Sequence, residues 1–139
     1  MKAKKITIEC TEKQALLIEQ CLEYCARIGA GQLHHINNII DLCSNKSRTV
    51  ILPTGEEAGW YKLGMWIQET IKPILFPELR PNASYGVGNK EIPNGQIMYE
   101  IYKKLQNFRM RDGIDDCGVL KDEPLHYSKE PLINVYEKE

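Results

Sequence analysis

The sequence predicts a mostly helical α+β domain: about four helices packed with a small antiparallel sheet formed by an N-terminal and a C-terminal strand. Three observations predict it. Apolar residues recur at helical spacing in several stretches and with a period of two near each end. Hydrophobic residues make up 42% and charged residues 27%, a globular mixture and not that of a disordered chain. The 139 residues are near the size of one domain and long enough to bury one core. No repeat, low-complexity tract or composition break divides them, so residues 1–139 read as a single domain.

In chain order, Ile6, Ile8 and Cys10 alternate with Lys5, Thr7 and Glu9, the pattern of a half-buried strand. Thr11 opens a helix, with Gln14 at the spacing of a capping box. Its stripe is Leu17, Cys21, Tyr24 and Ile28, flanked by Ile18, Leu22 and Cys25, and Gly29 and Gly31 stop it. A second helix is expected from about Gln32 to Cys43, with Leu33, Ile36, Ile40 and Cys43 on one side. Residues 44–48 form a polar connection before the apolar run 50–52. Thr54 and Glu57 repeat the capping-box spacing and start a third helix, which carries Trp60, Leu63, Gly64, Ile67, Ile71 and Ile74 toward the core until Pro73 ends or kinks it.

From Pro73 the character changes. Pro73, Pro77, Pro81, Pro93, Gly86, Gly88 and Gly95 fall within residues 73–95, a long loop of the kind that is often functional. Asn94 caps a fourth helix with the stripe Ile97, Ile101, Leu105 and Phe108, running to about Arg111 and closed by Gly113. Residues 125–127 and 133–137 read as short strands. The second of these is expected to pair with the N-terminal strand or with its neighbour as a hairpin.

Charge and motifs exclude several functions. A formal net charge of −1 gives no general attraction to nucleic acid or to an anionic membrane, and only Lys2, Lys4 and Lys5 cluster. The N-terminus lacks a signal peptide's apolar run, and no stretch approaches a bilayer-spanning length. Five cysteines without a C-x-x-C pair read as reduced thiols in a cytoplasmic protein. No metalloprotease, nucleophile-elbow, Walker or dinucleotide motif is present, so no catalytic residue, cofactor or metal is assigned. Cys21 and Cys25 could share a soft metal with His34 or His35, but their place in an apolar stripe makes buried thiols the commoner outcome. Asp112, Asp115 and Asp116 suit a turn, and Glu56 and Glu57 suit a helix start.

Two segments carry more chemistry. The first, residues 24–32, is a helix end turning sharply into another helix. Arg27 there either caps the helix or grips a phosphate or carboxylate as a two-toothed fork, with Gln32 beside it. His35 follows in a run with His34, Asn37 and Asn38 that reads equally as a hydrogen-bonding surface. The second segment offers Arg80, Asn82, Ser84, Tyr85 and Asn89, a mixture suited to a polar, ring-bearing ligand and equally to a loop satisfying its own backbone.

The run 27–32, then 81–87, then Met98-Tyr99-Glu100-Ile101-Tyr102, resembles a group of small bacteriophage and prophage proteins, over roughly residues 5–110. By analogy of context, the resemblance implies counter-defence in the host cytoplasm. The expected function is a non-enzymatic sponge that sequesters a small anionic or nucleotide-derived ligand through Arg27, Gln32, His35, Arg80, Asn82, Ser84, Tyr85 and Asn89. A homo-oligomer is expected, with Trp60, Tyr61 and Trp66 offering an interface. Alternatives are an inhibitor or adaptor that binds a host protein, and a small hydrolase using His34 or His35 with a carboxylate. The ligand reading requires that the corner at 27–32 and the loop at 80–89 meet in space.

Overall fold

A computed structural model describes residues 4–44, 49–110 and 125–138. The expectations placed on residues 45–48, on the turn with Asp112, Gly113, Asp115 and Asp116, and on the helix end at Arg111 lie outside the described residues. In chain order the elements are α1 (Glu12–Gly29), a 3-10 turn (Leu33–His35), α2 (Ile36–Ser44), β1 (Val50–Ile51), β2 (Glu57–Ala58), α3 (Trp60–Trp66), a π turn (Ile67–Ile71), α4 (Lys72–Leu75) and α5 (Pro93–Arg109). No described helix is long and apolar enough to cross a membrane.

Helix α1 starts as its sequence dictates. The Thr11 hydroxyl accepts from Gln14 N at 3.1 Å, and the Gln14 side chain accepts from Thr11 N at 2.8 Å, so two orphan donors of the first turn are satisfied. Its main packing partner is α5. There Arg109 grips the buried Glu19 carboxylate with two parallel bonds, Nε to Oε1 at 3.1 Å and Nη2 to Oε2 at 2.8 Å. Of the expected α1 stripe, Tyr24 and Ile28 are half-buried, while Cys21 and Cys25 are exposed and do not fill a core.

The sheet is not where the termini predicted it. It is a short internal hairpin, with Val50 opposite Ala58 and Ile51 opposite Glu57. Residues 4–10, 125–127 and 133–137 form no strand. The two end segments touch through the Glu9–Lys138 ion pair. Thr54 accordingly does not start a helix. Gly55, at φ +88°, turns the chain so that Gly55 N reaches Leu52 O at 2.8 Å and Leu52 N reaches Glu56 O at 2.9 Å. Helix α3 begins two elements later, at Gly59.

Helices α3 and α4 are one rod interrupted by the π turn, in which Lys72 N bonds Ile67 O, five residues back. Pro73 supplies the cause. In a regular helix its ring would press on the carbonyl four residues earlier and it has no N–H to give; widening the preceding turn relieves both. The extra residue rotates everything beyond it by about 100°. The buried positions of the rod therefore include Gly64, Ile67 and Lys72, and the expected core positions hold up to Ile71, which is half-buried, while Ile74 misses: it is 73% exposed and Lys72 is fully buried. At Gly64 the rod approaches the 3-10 turn so closely that a Cβ would lie 3.1 Å from the His34 Cβ. Helix α5 starts on Pro93 at its first turn rather than on an Asn94 cap.

Candidate functional site

The end of α1 closes by a Schellman turn: Gln32 N bonds Arg27 O at 2.9 Å and Gly31 N bonds Ile28 O at 3.0 Å. Gly31 takes φ +100°, the left-handed conformation this turn needs, and a Cβ there would meet Leu79 Cδ1 at 2.8 Å. The turn folds Gln32 back over the last helical turn. Arg27 Nη1 then donates to Gln32 Oε1 at 3.3 Å, and Nη2 donates to Glu23 Oε1 at 3.2 Å.

The proline-flanked loop docks on this corner. Tyr85 N donates to Ala30 O at 2.8 Å, and Gln32 Nε2 donates to Ser84 Oγ at 3.3 Å, joining positions 52 residues apart. Below the seam stands Lys72. Its ammonium donates to Pro81 O at 3.0 Å and to Ala83 O, and its Cε lies 3.5 Å from where a Gly31 Cβ would be. Gln68 bridges the same parts, accepting from Leu33 N at 2.9 Å and donating to Pro81 O at 2.8 Å. Burial lowers the Lys72 pKa, and among the described residues no carboxylate neutralises it. Its charge is held by carbonyl dipoles alone.

On the other side of the corner, rings gather. Tyr24 stacks on His35 with centroids 5.7 Å apart, and His34 lies 4.3 Å from His35. Burial first, then His34 and Arg27, push His35 down to about 4. Burial, then the Lys72 ammonium and the Arg27 guanidinium, lower His34 as well. Both imidazoles are therefore neutral at pH 7, with Arg27 acting on both and Lys72 on His34. The amide of Asn38, at 2.7 Å, donates to His35 Nδ1, so the ring carries its proton on Nε2.

Of the residues singled out by sequence, Arg27, Gln32, Ser84 and Tyr85 meet at the seam, and His35 adjoins Arg27 across the ring group. Tyr85 also sends its hydroxyl to Glu78 Oε1 at 2.5 Å, which pushes its pKa up to about 12, and its ring meets Phe76 edge-on. Arg80 and Asn82 are exposed on the loop. Asn89 is structural: its side chain accepts from Glu91 N at 2.9 Å and its carbonyl accepts from Gln96 Nε2 at 3.0 Å. Sequence reasoning missed Lys72 and Gln68. The available signal was Pro73, which breaks the helical phase one residue after Lys72. Among the described residues no three of His, Cys, Asp or Glu are grouped to hold a metal; Cys21 and Cys25 interact with each other and not with the histidines.

No protein-family model, no curated protein and no solved structure matches this chain.

Proposed function

We propose that this protein binds a small anionic, nucleotide-like ligand without transforming it, at the seam between the Arg27–Gln32 corner and the Ser84–Tyr85 loop. The observation that carries the reading is the convergence of Arg27 and Lys72 beside stacked neutral rings. Burial first, and then the Lys72 and Arg27 charges, lower His34, and the field of those two cations favours an anion. Arg27 uses one N–H on Gln32 and one on Glu23, so its remaining donors serve a phosphate. Tyr24, His35 and His34 supply flat faces for a base. A sponge that holds a nucleotide-derived immune signal in the host cytoplasm, as the phage-protein resemblance implies, needs these features and no catalytic group.

A hydrolytic reading has less support, since among the described residues neither His34 nor His35 has a carboxylate partner. A protein-inhibitor reading is favoured by one observation: Tyr61, Met65, Ile74 and Leu75 are exposed along the α3–α4 rod. Isothermal titration with cyclic dinucleotides and ADP-ribose-type ligands tests the leading reading. Arg27→Ala is expected to weaken binding by about tenfold to a hundredfold, the loss of a charged hydrogen-bonding group, with helix content unchanged. No heat from any such ligand with the intact protein would overturn it.

A further inference from the structure

Residues 4–10 form no strand with any other described segment. Their sequence alternates as a strand should, yet among the described residues no backbone hydrogen bond involves them. Ile6 and Ile8, the apolar side of the alternation, are 82% and 75% exposed. Backbone N–H and C=O groups without a partner among the described residues, beside exposed isoleucines, are a template for another strand. We propose that this segment pairs antiparallel with the same segment of a second copy of the chain, centred on Thr7, and that this two-fold ribbon is the core of a homodimer. The inference is independent of the ligand reading.

The charges choose the occupant and the register. An antiparallel pair centred on Thr7 sets Lys5 opposite Glu9 of the partner subunit, Ile6 opposite the partner's Ile8, and Thr7 opposite the partner's Thr7. One face of the ribbon then reads Lys–Glu, Thr–Thr, Glu–Lys, and each of these cross-strand pairings is favourable. The other face carries four isoleucine side chains in one apolar block. Sliding the register by two residues leaves both charges unpaired, and sliding by one puts isoleucine against charge. Parallel, in-register pairing would set lysine beside lysine and glutamate beside glutamate. Of these arrangements only the antiparallel, self-complementary one sets Lys5 against Glu9 at both ends and isoleucine against isoleucine, with Lys4 facing the partner's Cys10 at the margins, and a two-fold, isologous contact is self-complementary in this way.

A two-stranded ribbon alone is marginal in water and needs a cover for its apolar face. Leu17 and Ile18, in the second turn of the helix that directly follows the segment, are 41% and 40% exposed and offer apolar surface for such a cover. Among the described residues, the ion pair the segment must surrender is Glu9–Lys138. Both of its side chains are largely exposed, so exchanging it for the partner's Lys5 costs little.

Sedimentation velocity on the full chain tests the proposal through charge reversal. The wild-type protein is expected to dimerise at micromolar concentration, while Lys5→Glu and Glu9→Lys each set like charges face to face and weaken the dimer by about tenfold or more. Mixing the two variants in equal amounts pairs glutamates with lysines at both ends and restores a heterodimer. The double variant Lys5→Glu/Glu9→Lys restores the homodimer. Both positions are exposed, so circular dichroism of each variant should match wild type. A wild-type chain that stays monomeric at about 100 μM overturns the proposal, as it would if the segment served a foreign strand instead. So does a dimer that ignores the single reversals, or a mixture that fails to reassociate.

Discussion

At the scale of single residues, His35 reports the state of the corner. Its folded pKa is about 4 against an ordinary value of 6.5, first because burial disfavours the cation and then because His34 and Arg27 repel it. The unfolded chain thus takes up a proton near pH 6.5 that the folded chain refuses until about pH 4. Stability is therefore complete above about 6.5, falls as the pH drops from there toward 4, and stops falling on this account below it. Urea midpoints measured across this range are expected to show that decline, and His35→Gln, which keeps a polar partner for Asn38 but does not titrate, flattens it. An unchanged slope in the variant would place the acid sensitivity elsewhere. Gly31 and Arg27 were legible beforehand, because a left-handed cap and a cation at a helix end leave marks in the sequence. The buried Lys72 left only the indirect mark of Pro73 beside it, since its own residue type does not tell a lysine that snorkels from one held by two carbonyls. Asn89, by contrast, looked like a ligand group and serves its own turn, as asparagine commonly does.

At the scale of elements, the π turn decides what the rod presents. Without it, the phase set by Trp60, Gly64 and Ile67 would carry Ile71 and Ile74 inward, which is the pattern the sequence displays. With it, Gln68 and Lys72 bond the loop, Ile71 is half-buried and Ile74 faces solvent. Helix existence was thus readable from periodicity, and helix phase was not, because one widened turn beside a proline changes every face after it. The same limit applies to Thr54, whose capping-box spacing was outcompeted by the Gly55 turn, and to the terminal strands, whose alternation specifies a face but not a partner. Deleting the exposed Glu69 in a Pro73→Ala background, which removes the clash, should return the rod to regular α geometry and swing Lys72 by about 100° away from Pro81 and Ala83. The expected outcome is unchanged helix content in far-ultraviolet circular dichroism with lost anchoring of the 80–85 loop. Limited proteolysis is the readout, and cleavage in that loop should accelerate by about tenfold, the effect of removing roughly one charged hydrogen-bond anchor. Proteolysis at the wild-type rate would mean that the Tyr85–Ala30 and Gln32–Ser84 bonds hold the loop without Lys72.

At the scale of the whole molecule, the balance of buried and exposed groups is unusual. Several of the most buried side chains are polar or charged: Glu19, Asn37, Lys72, Gln96 and Glu100. Each of these has partners, from the Arg109 fork on Glu19 to the Tyr127 and Ser128 N–H groups that converge on Glu100 at 3.0 and 2.9 Å. Such networks fix geometry, but a satisfied buried charge adds little net stability over an apolar residue of the same size. Meanwhile Ile6, Ile8, Ile51, Tyr61, Ile74 and Tyr136 lie in water, where their transfer free energy is unused. Association is the way to recover it, so the folded protein's stability should depend on its concentration. When N dimerises and the unfolded chain does not, each hundredfold rise in concentration above the dissociation constant adds up to about 2.7 kcal/mol per mole of contact formed. For a chain of this length that corresponds to a rise of several degrees in Tm, of the order of 5 °C. Differential scanning calorimetry between about 1 and 100 μM is expected to show that rise in the wild-type protein and a smaller one in Lys5→Glu, whose Tm is the lower of the two at about 100 μM. A Tm independent of concentration would mean that the exposed isoleucines remain solvated, and that the polar core by itself sustains the fold.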